Sequence, residues 1–347
     1  MASESKPLIS SHVRHGLKVG LASVLSYVVS AWVGMPYAYW AVITTVIVMQ
    51  MHVADSIEMS LYRFTGTAIG AGMSVLMILV FPPTPGWTLA AIFLGTGVCA
   101  YLTRYNARYR MAAITLAITF LTSLGADHRV EFTLFRVAEI GIGVLCAFVV
   151  SVAVWPNRTA SVLQERLRVQ YAQVAANLVL LMDSFLEHQR KVDPDLFFDL
   201  ARDAQSNREL FNKVYSTERR FYRDDLAQLS TQVNVLNSVV ERLQSTPNLL
   251  NEVEGEGWDI IMTPELQRLA QAAANALRAI GAGAHYDSRP LATAVDQVEK
   301  RFIELREQGV IERFEVRRYF QVMGFINTVQ HLGEYLLVVL NRKEMRR

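Results

Sequence analysis

Cysteine is scarce in this sequence, and so are the side-chain groupings on which most enzymes depend. The 347 residues include two cysteines, Cys99 and Cys146, and both fall within apolar runs. This excludes a disulfide framework and a thiolate metal site. The seven histidines form no metal-ligand cluster, and no Gly-rich loop ending in Lys-Ser or Lys-Thr is present. We therefore predict a protein that is not an enzyme and that holds neither a metal nor a cofactor.

Charge is also scarce, but only in the first half of the chain. Residues 1–156 carry 15 Lys, Arg, Asp and Glu side chains, whereas residues 157–347 carry 51. With 52% hydrophobic and 19% charged residues overall, the chain is too apolar for a soluble protein of two domains. The two halves are therefore predicted to face different solvents, with a membrane domain at 1–156 and a cytosolic domain at 157–347. The net charge of +2 says little about partners, and we expect no nucleic-acid partner.

Long uncharged runs fill the first half. The run 19–51 is interrupted by Gly34-Met35-Pro36, and the run 64–103 is interrupted by two prolines, a threonine, a third proline and a glycine at 82–86. Each run is too long for one crossing, so each predicts two membrane-spanning helices joined by a tight turn. Two shorter apolar segments follow. The pattern predicts six membrane-spanning helices, at 16–34, 37–51, 64–81, 87–102, 110–126 and 134–155.

Basic residues in the short loops predict the orientation. With the first residues inside, the cytosolic side receives eight Lys and Arg side chains and the outside receives two, Arg129 and Arg136. Because basic loops stay in the cytoplasm, we predict a multi-pass protein of the bacterial inner membrane with both termini cytoplasmic. The polar first 15 residues do not resemble a removable signal peptide.

The second half shows helical periodicity. Apolar residues recur every three or four positions along Leu167–Phe185, Leu226–Leu243 and Val322–Val339, with weaker stripes between them. Such stripes are the buried faces of packed helices. Breaks are predicted at 193–194, 246–257 and 281–290. The fold class is therefore all-α, with six membrane helices followed by a cytosolic bundle of five or six helices, and a dedicated ligand pocket in that bundle is the alternative to a purely structural core.

Four charged residues lie in or beside the predicted spans: Lys18, Arg63, Arg136 and Glu139. Intramembrane charges are costly and usually functional. A pathway for a carboxylate needs cationic groups at each mouth, and Arg63 and Arg136 are predicted to open the third and sixth helices from opposite sides. The alternative is that these residues mark helix ends and that Arg136 pairs locally with Glu139. Glu139 is also a candidate proton carrier.

A short internal match links the two arginines. Arg63 and Arg136 are each followed by glycine seven residues later, and Ala-Val-Ile-Thr44 resembles Ala-Ala-Ile-Thr115. Because three spans separate the copies, they would insert as an inverted three-helix repeat. Four glycines near the arginines are predicted to let helices approach closely, rather than to line a pore: Gly66, Gly70, Gly141 and Gly143. Tyr37, Tyr39 and Trp40 form either an interfacial aromatic belt or a surface that stacks on an aromatic substrate.

These motifs resemble the fusaric-acid-resistance family of membrane proteins. The resemblance is carried by Pro36-Tyr-Ala-Tyr-Trp-Ala-Val-Ile-Thr-Thr45, by Arg63-x-x-Gly-Thr-x-x-Gly70, and by Arg136 at the head of a Gly-rich helix that ends at Trp155-Pro156. That family is similar to bacterial aromatic carboxylic acid exporters and, more distantly, to plant aluminium-activated malate transporters. The resemblance covers residues 10–160 and implies export or conduction of organic anions.

The resemblance also implies an assembly. Full-length exporters of this kind look like two membrane halves in one polypeptide, so a single set of six helices implies a homodimer within the lipid bilayer, and such exporters often work with a periplasmic adaptor. We therefore predict an exporter of organic anions, in particular aromatic carboxylates. The alternative is a non-transporting membrane anchor or sensor whose helical domain recruits a partner.

Overall fold

The computed structural model describes residues 5–106, 108–156, 158–188, 191–217, 219, 226–251, 262–309 and 316–344. These residues form α-helices with short 3-10 and π segments, and no strand occurs among them, which confirms the all-α prediction. The chain divides into two compact units, with the boundary between Thr159 and Ala160.

The first unit contains six α-helices in its described residues: α1 (Ser5–Trp32), α2 (Tyr39–Val48), α3 (Val53–Val80), α4 (Pro85–Leu102), α5 (Arg108–Thr122) and α6 (Arg129–Ala153). Gly34 lies in the turn between α1 and α2 at φ +78°, a backbone conformation that glycine adopts without strain. Pro85 begins α4, where its missing N–H costs nothing. The predicted turns are therefore the observed ones.

α3 and α6, the helices that contain Arg63 and Arg136, begin earlier than the uncharged runs predict, as α1 also does. α3 begins at Val53, eleven residues before the predicted start at 64, and α6 begins at Arg129, five before 134. The extra turns of α3 contain the acidic residues Asp55 and Glu58, which favour the positive N-terminal end of a helix. A prediction that looks only for charge-free segments leaves such charged turns out of the helix. Arg63 and Arg136 consequently lie inside their helices, which corrects the prediction that they open them.

The outer surface of the first unit is apolar. Leu79, Leu89 and Phe93 are each at least 70% exposed. Within the described residues of the whole chain, four helices are long and apolar enough to cross a membrane: Val53–Val80, Pro85–Leu102, Arg129–Ala153 and Thr159–Leu186. Two shorter apolar helices cover Tyr39–Val48 and Tyr109–Gly125. Large apolar side chains at such exposure are stable against lipid or another protein surface.

The fourth of these segments, Thr159–Leu186, is two-sided. Leu163, Leu167 and Leu178 are fully buried in the core of the second unit, whereas Glu165 and Arg168 on the other face are exposed and paired with each other. A charged outer face opposite a buried apolar stripe is typical of a packed helix that faces water. Length and composition alone therefore do not distinguish this helix from a membrane span.

The second unit is built from seven α-helices in the described residues: α7 (Thr159–Asp183), α8 (Phe198–Thr217), α9 (Leu226–Leu243), α10 (Thr246–Asn251), α11 (Thr263–Ala282), α12 (Arg289–Glu307) and α13 (Val316–Glu344). The predicted breaks at 193–194 and 281–290 separate helices. The predicted break at 246–257 instead begins with the short helix α10, since Pro247 is well accepted in a first turn, and its remainder at 252–257 falls outside the described residues.

Two buried polar side chains connect three helices in the middle of this bundle. The Tyr171 hydroxyl of α7 donates to the Gln232 carbonyl oxygen of α9 over 2.7 Å, and the Gln232 side chain donates to the Ile280 carbonyl oxygen of α11 over 2.6 Å. Because buried polar groups are costly when unpaired, these bonds fix how the three helices sit against each other.

Candidate functional site

Two glycines bring four helices of the first unit into backbone contact. A Cβ atom on Gly143 of α6 would collide with the Ala41 carbonyl oxygen of α2 and lie 2.9 Å from the Thr44 Cβ. A Cβ atom on Gly70 of α3 would collide with the Ala112 carbonyl oxygen of α5 and lie 2.8 Å from the Thr115 Cβ. The two crossings are thus made from the same residue types, glycine against alanine and threonine.

The other two predicted glycines differ from these. Gly66 is buried in α3, whereas a Cβ atom on Gly141 would meet no atom within 4 Å. The close approach of α6 therefore rests on Gly143.

Arg136 lies inside an aromatic cage. Its side chain is almost fully buried, with the residue 3% exposed. The guanidinium carbon lies 4.3 Å from the ring centre of Trp40, 4.9 Å from Tyr37, 5.1 Å from Phe132 and 5.8 Å from Tyr39. A cation over the faces of aromatic rings is attracted by their quadrupoles, most strongly by Trp. The predicted aromatic residues Tyr39 and Trp40 thus contact the predicted cation.

Glu139 is the acidic partner of this cation. It is fully buried, and one carboxylate oxygen lies 3.5 Å from Nη1 of Arg136. The other oxygen accepts a 2.7 Å hydrogen bond from the backbone N–H of Tyr37. Glu139 therefore neutralises Arg136 from one turn away, and it also anchors the chain just before α2.

Arg63 has no comparable partner. It is 2% exposed, and its one recorded hydrogen bond is a weak contact of 3.7 Å from Nη1 to the Met111 sulfur of α5. Its Nε has no hydrogen-bond partner, and no carboxylate of the described residues lies within ion-pair distance of it. A buried, unpaired guanidinium is costly, so Arg63 is the group of this unit that most needs an anionic ligand.

Arg63 and Arg136 line one gap. The other lining residues are Trp40, Thr115, Ile118, Thr119 and Ile140. The space between these side chains is too narrow for a water molecule. The prediction that the two arginines serve opposite mouths is therefore corrected, because α3 and α6 pack against each other and bring both guanidinium groups to the same place. The gap is closed in this conformation.

Several donors around the arginines are also unsatisfied. Among the described side chains, the Trp40 indole N–H, the Thr115 hydroxyl and Nε of Arg136 are buried without a hydrogen-bond partner. Native proteins rarely leave such groups unpaired without a functional reason. Sequence reasoning missed Thr115, Thr119 and Phe132 as neighbours of the arginines, although the internal match at Thr44 and Thr115 was a signal for one of them.

Lys18, the fourth charged residue predicted in or beside the spans, does not line the gap. Its Nζ donates to the carbonyl oxygens of Ser151 and Trp155, both at 3.4 Å, at the C-terminal end of α6. A cation there pairs with free carbonyl oxygens and is stabilised by the negative end of the helix dipole. Trp155 itself has φ +38°, an unusual value for a non-glycine residue. Lys18 therefore stabilises the end of α6 rather than lining the gap.

The described residues contain no group of three or more His, Cys, Asp or Glu side chains that could hold a metal ion. The chemistry that the site offers is instead electrostatic. Two buried guanidinium groups, one carboxylate, several free donors and a set of aromatic rings converge on one closed gap.

Comparison with known proteins places these features in a family. The model of the fusaric acid resistance protein family matches residues 12–337, which confirms the resemblance seen in the sequence motifs. A UPF0421 protein of Halalkalibacterium halodurans is 25% identical over 178 residues, which cover 51% of this chain and 49% of the relative. Inner membrane protein YeeA of Escherichia coli is 24% identical over 238 residues, 63% of this chain and 65% of the relative.

A third relative carries a functional name. The p-hydroxybenzoic acid efflux pump subunit AaeB of Musicola paradisiaca is 28% identical over 160 residues, 42% of this chain and 25% of the relative. The chain therefore spans about half the length of the UPF0421 relative and a quarter of the efflux subunit.

Proposed function

The chain belongs to the fusaric acid resistance protein family, and from this premise we propose that it exports aromatic carboxylate anions across the bacterial inner membrane. Its apolar helices make it a multi-pass membrane protein. The proposed transport is driven by a proton or solute gradient. AaeB, which is 28% identical over 160 residues, is named as an efflux subunit for p-hydroxybenzoic acid, and an aromatic acid is the substrate class that we carry over to this chain.

The unpaired Arg63 is the observation that supports this proposal most directly. A carboxylate that enters the gap gives Arg63 the ion pair that the protein itself does not supply. Charge-assisted hydrogen bonds between guanidinium and carboxylate groups are about twice as strong as neutral ones. The free Thr115 hydroxyl in the same gap is a second donor for the incoming oxygen atoms. One carboxylate would therefore satisfy two buried groups at once.

The aromatic part of the proposed substrate has its own neighbours. Trp40 lines the gap, and Ile118 and Ile140 supply apolar walls. Aromatic rings prefer offset or edge contacts with other rings and bury well against aliphatic side chains. A ring bearing one carboxylate thus matches a site that is cationic at Arg63 and apolar beside it.

The closed gap favours a carrier over an open channel. Since no water-sized sphere fits between the lining residues, a substrate can enter only after helices move apart. The two glycine crossings are equivalent close contacts between helices: α3 crosses α5, and α6 crosses α2. We propose that they belong to an inverted repeat of three helices, as in many transporters that alternate between two open states.

The small apolar cores of the unit agree with this repeat. One core joins α1, α2 and α6 through Ala22, Val48 and Ala147. The other joins α4 and α5 through Cys99, Ala112 and Leu116, with Met73 of α3 packed against it. In each core, the third helix of one proposed copy packs on the first two helices of the other copy. Six membrane spans, cytoplasmic termini and a cytosolic second unit complete the proposal.

A second copy of the chain and a periplasmic adaptor are the partners that the family resemblance implies. The match to the efflux subunit AaeB covers a quarter of that protein. We propose that this chain works as a homodimer in the bilayer.

Flux in proteoliposomes tests the proposed function. Purified wild type and the variants Arg63→Gln and Arg136→Gln are reconstituted, and uptake of a panel of aromatic and aliphatic carboxylates is followed with and without a pH gradient. Arg104→Gln is the matched control, because Arg104 is exposed in the turn after α4. We expect aromatic acid flux in wild type and in the control, and its collapse in both gap variants.

Absence of flux for every acid, from a well-folded and correctly oriented protein, would contradict the proposal. It would favour the alternative of a non-transporting anchor or sensor, and binding partners of the second unit would then be the next measurement.

A further inference from the structure

The charges around the gap do not cancel. Arg63 and Arg136 each contribute one positive charge, and Glu139 contributes one negative charge through its pair with Arg136. No other charged side chain lines the gap in the described part of the chain. The protein therefore presents a net charge of one positive unit to any solute that enters.

We infer that Glu139 sets the charge selectivity of the transporter: by occupying Arg136, it limits the site to anions with a single negative charge. This inference rests on the proposed function and deepens it. Arg63 is the receptor for the substrate carboxylate, whereas Arg136 is held by the protein's own carboxylate.

The geometry keeps Glu139 in this role. Its carboxylate receives the Tyr37 N–H at 2.7 Å on one oxygen and Arg136 on the other. The two contacts hold both oxygens, so the carboxylate is fixed between the Tyr37 backbone and the Arg136 guanidinium. The four rings around Arg136 hold its guanidinium beside Glu139. A substrate carboxylate would have to displace an anchored carboxylate to reach Arg136.

The internal match indicates which residue makes the surroundings of the two arginines different. In the aligned segments, Arg136 corresponds to Arg63 and Gly143 to Gly70, so Glu139 corresponds to Gly66. The first copy has a glycine where the second copy has the carboxylate. The two arginines are therefore unequal because of one side chain, and replacing that side chain should make them equal.

A dianion is excluded for an electrostatic reason. One negative charge neutralises the gap, but a second leaves an uncompensated charge away from water. Buried charges without a partner are strongly unfavourable. Removing the charge of Glu139 raises the net charge of the gap to two positive units, which matches a dianion instead.

The test compares two solutes of the same shape and different charge. Phthalate carries two negative charges at neutral pH, whereas monomethyl phthalate carries one. Initial rates of uptake of both are measured in the same proteoliposomes for wild type, Glu139→Gln and the charge-conserving control Glu139→Asp. The ratio of the two rates is the readout, and it does not depend on the amount of active protein.

We expect wild type to favour monomethyl phthalate. We expect Glu139→Gln to shift the ratio toward phthalate by at least tenfold, the equivalent of about 1.4 kcal/mol, and Glu139→Asp to stay close to wild type. If Glu139→Gln does not fold, competition in wild type serves instead: monomethyl phthalate should inhibit benzoate uptake at a concentration roughly tenfold or more below that of phthalate, and equal inhibition by the two solutes would overturn the inference.

An unchanged ratio in a variant that still transports would overturn the inference and leave the proposed function intact. An equal shift in Glu139→Asp would also overturn it, because the charge is then irrelevant. Absence of transport of every carboxylate by wild type would overturn the proposed function and the inference together.

Discussion

Replacing Gly143 by alanine should loosen the contact between α6 and α2. The added Cβ would collide with the Ala41 carbonyl oxygen and lie 2.9 Å from the Thr44 Cβ. A backbone carbonyl cannot rotate away as a flexible side chain can, so the two helices must separate. The Thr45 hydroxyl, which donates to the Gly143 carbonyl oxygen over 3.1 Å, loses its position at the same time.

Contributions of opposite sign determine how far Gly143→Ala changes the free energy of unfolding. Alanine is favoured over glycine inside a helix by about 1 kcal/mol. Overpacking a tight contact costs about 1–3 kcal/mol, and loss of the Thr45 bond adds about 1 kcal/mol. Gly143→Ala should therefore lower the free energy of unfolding by roughly 1–3 kcal/mol.

The chain offers a matched control on the same helix. A Cβ atom on Gly141 would meet nothing within 4 Å, so Gly141→Ala keeps the helix-propensity gain without the collision. For a unit of 159 residues, each kcal/mol corresponds to roughly 2–4 °C. The two variants should therefore melt at least about 4 °C apart. Gly70→Ala and its control Gly72→Ala on α3 should repeat the difference.

The assay is thermal inactivation of detergent-solubilised protein, with the monodisperse fraction measured by size-exclusion chromatography after a fixed heating time. Melting of Gly143→Ala at or above the temperature of Gly141→Ala would refute the reasoning. The helices would then not meet where the structure places them, and the proposed repeat would lose its main structural support.

Three further predictions follow from single contacts. Trp40→Leu removes the ring nearest to Arg136, a cation–π contact of about 2 kcal/mol when desolvated, and should raise the KM for benzoate roughly tenfold or more; an unchanged KM would exclude Trp40 from the site. Lys18→Met removes the donor to the Trp155 carbonyl oxygen and should lower the thermal midpoint of the first unit by the equivalent of about 1 kcal/mol; an unaltered midpoint would show that this cap is dispensable. Tyr171→Phe leaves the Gln232 carbonyl oxygen without its 2.7 Å donor and should destabilise the second unit by about 1–2 kcal/mol without reducing flux; lost flux at full stability would point to a functional role for that unit.

The sequence predicts the helices of the first unit better than their ends. Gly34 and Pro85 mark the breaks between helices because their backbone preferences are local: Gly34 lies in the turn between α1 and α2, and Pro85 is the first residue of α4. The start of α3 was not predictable from the absence of charge, since Asp55 and Glu58 belong to the helix and favour its N-terminal end.

The members of the site were predictable, but their arrangement was not. A charge in an apolar segment identifies Arg63 and Arg136 as candidates from composition alone. Their convergence on one gap depends on how α3 crosses α6 and how deeply each arginine lies in its helix. The absence of an acidic partner for Arg63 is a property of the packed structure, and no local pattern encodes it.

Protection of the gap by substrate tests most directly the claim that an aromatic carboxylate binds between the two arginines. A cysteine is introduced by Thr119→Cys in a background without Cys99 and Cys146, and its rate of modification by a small thiol reagent is measured against benzoate concentration. Thr122→Cys, exposed at the end of α5, is the control. We predict that benzoate slows modification at position 119 and not at 122, and that Arg63→Gln abolishes this protection. Modification at position 119 that ignores benzoate, in protein that still transports it, would contradict the account.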